Sequence, residues 1–439
     1  MIYTSYEVFI LTVLVGSLVV NIPVKLFNLV NLIFISILLV NFNLIGQDLT
    51  VWETLIKVIC LIMGVIFINN NNSKSFTSSS ILVLCVTLAS MVMVSSTNLL
   101  TLYLALELQS LSVFILISRK REIITRVEAS LKYFVLSSIS SGLFLLGSSL
   151  IFVRTGSSEL FAVYSSPYNL EKTLIVVSLL FKLAASPFHF WSPDVYQGSD
   201  NKALMVLGIL PKISVFGIFV ILLPNVKLLI GSTILSLVVG SVGAINQTDT
   251  KRLLAYSSVV AMGFILLGVS ISTYEGVQAG FTYMVIYLLS FLGIILILEN
   301  VTKENSKLIE LSNLVGRKAP ILGAFSILVL SIAGIPPLGG FLAKWFVLSS
   351  AIGSEFILSA ILSIVCAMVA GVYYLRLIKI SYFQQDKSFL IWRKILLKEP
   401  SIPYHQGAII GMIVYSILFF LVSPQTINGV IHFGVLSTF

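Results

Sequence analysis

The chain has 439 residues, of which 57% are hydrophobic and 10% are charged, and its formal net charge is +9 at pH 7. A soluble domain carries about 25% charged residues. The composition therefore excludes a soluble globular protein and indicates one that is surrounded by lipid.

Apolar segments long enough to cross a bilayer recur along the whole chain. A spanning helix takes about 20 predominantly apolar residues, and a window of that length predicts about fourteen spans. Their centres lie near residues 14, 36, 60, 87, 107, 142, 182, 213, 236, 262, 288, 335, 366 and 417. Because these spans leave few residues for a soluble domain, we expect an all-α polytopic membrane protein.

Basic residues concentrate in the loops that follow odd-numbered spans, and only Arg154, Lys172 and Lys227 follow even-numbered ones. This alternation is the positive-inside pattern rather than a nucleic-acid footprint. It predicts that both termini lie on the face opposite to the basic loops. The basic residues of the odd-numbered loops are Lys25, Lys74, Arg119, Lys120, Arg121, Arg126, Lys202, Lys251, Arg252, Lys303, Lys307, Arg317, Lys318 and those from Lys387 to Lys398.

Four ionisable residues lie too deep in their spans to reach water: Glu107, Lys182, Lys212 and Lys344. A charge at the bilayer centre costs at least about 2.5–3.5 kcal/mol, so each needs a partner or a hydrated cavity. Desolvation favours the neutral form of lysine, which makes its proton exchangeable. The pattern predicts a proton relay.

Two shallower lysines have structural alternatives. Lys57 lies about one turn inside its helix, and we expect its ammonium to extend past Glu53 to the helix end. Lys132 follows Glu128 by four residues, which predicts either an ion pair on one helix face or the end of a proton path.

Two spans are interrupted by helix breakers. Pro187 interrupts the span of Lys182, and the segment Pro336–Gly340 interrupts the span of Lys344. Unwound backbone in a membrane is tolerated where it is buried in protein or lines a polar cavity. Paired broken helices favour an inverted-repeat transporter with two five-helix repeats. We therefore predict a three-helix segment over 1–78, repeats over 79–225 and 226–384, and a loop with a final helix over 385–439.

Cysteines and histidines give no sign of a redox centre. The three cysteines are far apart in apolar runs, so they predict neither disulfides nor a C-x-x-C metal site. His189, His405 and His432 offer no haem-ligand pair and no metal cluster. We expect no cofactor and no metal on this chain.

Four stretches carry a family resemblance: FKLAASPFHFWSPDVYQGS from residue 181, LGILPKISVFG from 207, TDTKRLLAYSSV from 248 and AGIPPLGGFLAKWF from 333. Over residues 80 to 383 the chain resembles subunit 2 of respiratory NADH dehydrogenase (complex I), the bacterial subunit N type. The resemblance implies an antiporter-like subunit of the proton-pumping membrane arm, with FMN, iron–sulfur clusters and ubiquinone on other subunits. It also implies subunits 4L and 4 as neighbours. The implied location is the mitochondrial inner membrane, with both termini on the intermembrane-space side, or alternatively the bacterial plasma membrane.

The resemblance also implies roles for single residues. Glu107 matches the fifth-helix glutamate that pairs with the seventh-helix lysine, Lys182, whereas Lys212 and Lys344 match the lysines of the eighth and twelfth helices. Members of the family commonly carry a histidine after the LLAYSS motif, and residues 259–262 offer none here. His189 follows the first break, where it would either bridge water or bond to backbone.

Two other classes of function remain open from the sequence. One is a multisubunit cation/proton antiporter of the Mrp type, with no link to NADH. The other is a structural spacer in which the deep charges are dispensable.

Overall fold

The computed structural model describes residues 49–69, 76–119, 122–161, 163, 169–222, 226–301, 307–314, 319–383 and 403–438. These residues form fifteen α-helices and one 3₁₀ helix, Leu308–Leu314. The helices are α1 Leu49–Asn69, α2 Phe76–Ser95, α3 Leu99–Ser118, α4 Ile124–Thr155, α5 Asn169–Leu183, α6 Trp191–Gly198, α7 Asn201–Leu222, α8 Val226–Ile245, α9 Thr250–Ser270, α10 Tyr274–Val301, α11 Ala319–Ala333, α12 Gly339–Gly353, α13 Ile357–Phe383, α14 Tyr404–Val422 and α15 Pro424–Leu436.

The predicted all-α membrane fold is confirmed. Among the described residues, nine helices are long and apolar enough to cross a membrane. Each predicted span from the one centred near residue 60 onward coincides with a helix or with a pair of half-helices. The spans centred near residues 14 and 36 lie outside the described residues. Helix α15 was not predicted, because only a single residue separates it from α14.

Serine is compatible with these apolar helices because its hydroxyl bonds back to its own helix. In α4, the hydroxyls of Ser137, Ser140 and Ser141 each donate to the carbonyl three residues earlier, at 2.6–3.0 Å. Such bonds remove the cost of an unsatisfied polar group in an apolar environment. Large apolar side chains of α4 are exposed, as expected where a helix faces lipid or a neighbouring subunit: Leu131, Val135, Ile139, Leu146, Phe152 and Val153.

The chain divides into two compact units. Unit 1 contains residues 1–184, 198–228 and 432–439, and unit 2 contains residues 185–197 and 229–431. The division differs from the predicted repeat boundaries, since the first break and most of α6 belong to unit 2. The last residues of the chain belong to unit 1, where the Ser437 hydroxyl accepts a hydrogen bond from the Trp52 amide at 3.2 Å. The predicted inversion of the repeats stays a prediction.

Packing within each unit follows chain order, with one helix in each unit that contacts several others. In unit 1, α4 packs against α3 and α5, and α7 packs against α1 and α2. In unit 2, α10 packs against α9, α11, α12 and α14. Helices α7 and α10 are therefore buried along most of their length, and α7 carries one of the deep lysines.

Candidate functional site

Both predicted breaks are present. Helix α5 ends at Leu183, Ala184 adopts a left-handed φ of 58°, and α6 begins at Trp191. The second break runs from Gly334, with a φ of 79°, to the start of α12 at Gly339. Proline has no amide hydrogen and its ring clashes with the preceding turn, so neither helix continues through its break.

Lys182 and Glu107 lie in unit 1 and interact at a distance. Lys182 is 7% exposed, at the end of α5 next to the break. Its Nζ has no hydrogen-bond partner among the described residues, and the carboxylate of Glu107 is close enough to act on it electrostatically. Glu107 instead accepts a hydrogen bond from the Ser110 hydroxyl at 3.3 Å. A pair that opens and closes during turnover stays a prediction.

Lys212 lies in the middle of α7 and is 2% exposed. The preceding residue, Pro211, donates no amide hydrogen, so the carbonyl of Leu207 lacks its usual helical partner. Two residues further on, the Ser214 hydroxyl accepts a hydrogen bond from Gln109 Nε2 at 3.2 Å. Because Gln109 follows Glu107 by two residues, this bond holds the Glu107 segment of α3 against the Lys212 segment of α7.

Lys344 lies in unit 2, on the first turns of α12, and contacts the break itself. Its Nζ donates to the carbonyls of Ile332 and Ala333 at 3.0 and 2.8 Å. These carbonyls end α11, where no following helical turn supplies an amide. The Nζ also lies 5.3 Å from the ring centre of Phe264. The lysine therefore makes the contacts of a purely structural role, and substitution must decide whether it also carries protons.

Gly334 leaves the space that the Lys344 side chain occupies. A Cβ built on Gly334 would lie 2.7 Å from Cδ and 3.0 Å from Nζ of Lys344. The φ of 79° at Gly334 is also one that other residues rarely adopt. The break thus needs glycine here both for its backbone and for the lysine that contacts it.

The remaining candidates occupy less central places. His189 is 6% exposed inside the first break, and its Nδ1 has no hydrogen-bond partner among the described residues. Lys132 is exposed and pairs with Glu128 at 2.7 Å, which is the ion pair that the sequence allowed. Lys57 is 3% exposed on α1, against which α2 and α7 pack, and the expected path of its ammonium past Glu53 stays a prediction.

Several polar contacts were not predicted, because their partners are far apart in the chain. The Arg126 guanidinium makes a bidentate ion pair with the Asp200 carboxylate. Arg154 Nε lies 2.6 Å from the buried carboxylate of Glu171. A cavity of about 250 Å³ also lies in unit 2 beside α12. Its lining residues are Glu275, Gln278, Ala279, Thr282, Phe346, Ser349, Ser350 and Asn428.

Metal ligands do not cluster in this part of the chain: within the described ranges, no group of three or more His, Cys, Asp and Glu side chains could hold an ion. The lysine and carboxyl side chains of the site can accept and release protons. Lys182, Lys212 and Glu107 lie in unit 1, and His189 and Lys344 lie in unit 2.

Known proteins are similar to this chain in sequence and in fold. Residues 96–370 match the family described as NADH:quinone oxidoreductase/Mrp antiporter, transmembrane. NADH-ubiquinone oxidoreductase chain 2 of Metridium senile is 40% identical over 377 residues, which cover 82% of this chain and 98% of the relative. NADH-quinone oxidoreductase subunit N of Pelagibacter ubique is 38% identical over 326 residues, 70% of this chain and 69% of the relative.

A solved structure has a similar fold. A chain of respiratory complex I from Thermus thermophilus superposes with a TM-score of 0.84 at 26% identity, covering 98% of this chain and 99% of that one. The family match covers more than half of the sequence, and the Metridium relative is matched over nearly its whole length. The chain belongs to the NADH:quinone oxidoreductase/Mrp antiporter family, within its branch of NADH-ubiquinone oxidoreductase chain 2.

Proposed function

We propose that this chain is a proton-translocating, antiporter-like subunit in the membrane arm of complex I, driven by electron transfer from NADH to ubiquinone in other subunits. The observation that carries the proposal is the burial of three lysines, Lys182, Lys212 and Lys344, each at most 7% exposed. Lys212 lies on a helix long and apolar enough to cross a membrane, and the other two lie on the half-helices beside the breaks. Ammonium groups this deep are retained where they serve proton or ion movement. Membership of the chain 2 branch supplies the NADH-linked context.

The relay residues have different tasks in this proposal. Glu107 and Lys182 form a switchable pair next to the first break, Lys212 is the central proton site, and Lys344 passes protons at the second break. His189 lies in the first break, where it would bridge water within the relay. Lys132, which is exposed and paired with Glu128, has the weakest support among the candidates.

The assembly and location follow from the same context. We place the chain in the mitochondrial inner membrane with both termini on the intermembrane-space side, and the bacterial plasma membrane is the alternative. Subunits of the 4L and 4 types are its proposed neighbours. FMN, iron–sulfur clusters and ubiquinone are held by other subunits, and the chain has no cofactor of its own.

The competing function is a subunit of an Mrp-type cation/proton antiporter, which the family description also includes. The two curated relatives described above are both subunits of NADH oxidoreductases, which favours the first function. Purification of the native assembly separates the two: a multisubunit complex that oxidises NADH supports the proposal, and sodium/proton exchange without NADH oxidation contradicts it.

Substitution of Lys344 tests whether the chain carries protons. Lys344→Met removes the titratable group but keeps the length, and we expect NADH-driven pumping in sealed vesicles to fall at least about tenfold, since a positioned proton-transfer group contributes about 10²–10⁴-fold. Lys344→Glu keeps a titratable group and should retain part of the pumping. Equal pumping by the Met variant and the parent, at matched NADH oxidation, would leave only the structural role at the break.

A further inference from the structure

The cavity of about 250 Å³ beside α12 lies at one end of α10 and α12 in unit 2. Its lining residues on α10 run from Glu275 to Thr282, the first turns of that helix. Those on α12 run from Phe346 to Ser350, close to its last residue, Gly353. Because α10 is long and apolar enough to cross a membrane, its first turns lie near the membrane surface, at the level of the lipid headgroups.

The hydroxyl groups of the lining are available as acceptors. Thr282, Ser349 and Ser350 each donate the hydroxyl hydrogen to the carbonyl three residues earlier, at 2.8–2.9 Å. A hydroxyl has one hydrogen to donate and two lone pairs that accept. Since the hydrogen already bonds to the helix backbone, each of these oxygens can only accept a hydrogen bond from a group in the cavity.

Two further acceptors belong to Glu275 and Asn428. Glu275 is exposed, and within the described ranges no cationic side chain forms an ion pair with it. Asn428 Oδ1 is buried and accepts no hydrogen bond from the described residues. Its segment of α15 is held in place, because Gln278 Nε2 donates to the Asn428 backbone carbonyl at 3.3 Å. A buried acceptor without a donor indicates a bound group that supplies one.

The lining favours a cation that donates hydrogen bonds. Glu275 supplies the negative charge, and the ring of Phe346 attracts a cation that lies over its face. A primary ammonium carries one positive charge and three N–H donors. A quaternary ammonium has no N–H, and a phosphate lacks both the charge and the donors. Among these groups, only the primary ammonium satisfies the acceptors of the cavity.

An exposed apolar strip on α12 adjoins the cavity. Trp345 and Ile352 are 57% and 56% exposed. They lie four residues before and three residues after Ser349, which places all three on one face of the helix. The charged site is therefore next to an apolar surface at headgroup depth, which is the arrangement that a phospholipid requires.

We propose that this cavity binds the primary ammonium headgroup of a phospholipid of the phosphatidylethanolamine type, with the acyl chains along Trp345 and Ile352. Glu275 pairs with the ammonium, and Asn428 Oδ1 and the hydroxyl oxygens of the lining accept its N–H groups. The site goes beyond the proposed proton translocation and does not depend on it.

The test uses the assembled complex in vesicles of phosphatidylcholine and phosphatidylglycerol that also contain phosphatidylethanolamine. A carbodiimide joins a carboxylate to a neighbouring primary amine as an amide, and mass spectrometry measures the lipid coupled to each acid. Glu355 is the reference, because it is exposed just after α12 and does not line the cavity. We expect at least about tenfold more coupling at Glu275, as for one hydrogen bond to a charged group. Equal coupling at the two acids overturns the proposal.

Asn428→Leu removes the buried acceptor, keeps a side chain of similar size and leaves Glu275 to report. Coupling at Glu275 should fall at least about tenfold, with coupling at Glu355 unchanged. Gln425→Leu, an exposed position on the same helix, is the matched control and should couple like the parent. Parental coupling in Asn428→Leu, or an equal loss in Gln425→Leu, contradicts the site.

Phe346→Leu carries the test if Asn428→Leu fails to assemble. Loss of the cation–π contact should lower coupling at Glu275 by about two- to tenfold, and parental coupling in this variant overturns the proposal.

The source of the ammonium is tested separately. Free ethanolamine is added to the complex in vesicles that lack phosphatidylethanolamine. Coupling of ethanolamine at Glu275 equal to that of the lipid overturns the assignment to a phospholipid. Coupling of Glu275 to a lysine of a neighbouring subunit, with no lipid attached, overturns it as well. Parental pumping by Asn428→Leu with lost coupling is the expected result, since the site is separate from the lysine relay.

Discussion

At the scale of single residues, burial distinguishes the deep lysines from the other cations of the chain. Lys212 is 2% exposed on a helix that other helices cover, whereas Lys132 is 43% exposed and paired within its own helix. An exposed helical pair contributes about 0.3–0.5 kcal/mol, and a buried ammonium costs several times as much. A cost of that size is consistent with a functional reason for keeping the charge.

Lys212→Ala should depress NADH-driven pumping while leaving assembly largely intact. The expected loss is at least about tenfold, because the group removed is a positioned proton donor and acceptor. Lys212→Arg should not restore full pumping, since a guanidinium does not release its proton near neutral pH. Acidification of sealed vesicles, normalised to complex content, measures both.

Lys227→Ala is the control for this series, because Lys227 is an exposed cation in the first turn of α8. It should pump at the parental rate. Full pumping by Lys212→Ala with normal complex content would contradict a central role for Lys212.

At the scale of elements, the two breaks are built differently around their lysines. Lys182 lies on the helix that leads into its break, whereas Lys344 lies on the helix that leads out and bonds back to the carbonyls before it. Lys344 can form these hydrogen bonds only because α12 starts very close to α11. Gly340 permits this approach, because a Cβ on it would overlap the Ser331 carbonyl.

Gly340→Ala should therefore destabilise the second break. Forcing one methyl group into a packed site costs about 1–3 kcal/mol, so we expect a lower thermal midpoint of the purified complex and less assembled protein. Gly353→Ala is the matched control at the other end of α12, where a Cβ would meet nothing within 4 Å. Equal stability of the two variants would show that α11 and α12 adjust without cost.

At the scale of the whole molecule, the orientation in the membrane rests on the basic loops. Two exposed acids flank α4: Glu122 precedes it, on the side of the basic cluster, and Glu159 follows it. With 32 residues, α4 is about 48 Å long at 1.5 Å per residue, enough to cross the bilayer. Its ends must therefore lie on opposite faces.

We expect Glu122→Cys and Glu159→Cys to react with a membrane-impermeant maleimide from opposite sides. Glu159→Cys should label from the side that also exposes a C-terminal tag, because the positive-inside pattern puts both termini opposite to the basic loops. Right-side-out and inverted vesicles provide the two measurements, and the parent with its native cysteines gives the background. Labelling of Glu122→Cys from the side of the tag would reverse the proposed orientation.

The sequence by itself determined the number and places of the spans in the described ranges, the two breaks and the burial of Lys182, Lys212 and Lys344. These are local signals: hydropathy acts over one window, and a proline stops the helix that contains it. The tertiary structure alone decided which groups meet. The Arg126–Asp200 pair joins residues 74 positions apart, and Lys344 bonds to the carbonyls that end α11. Such contacts depend on how helices pack side by side, and the apolar pattern of a buried helix does not specify its neighbours, because every face of it is apolar.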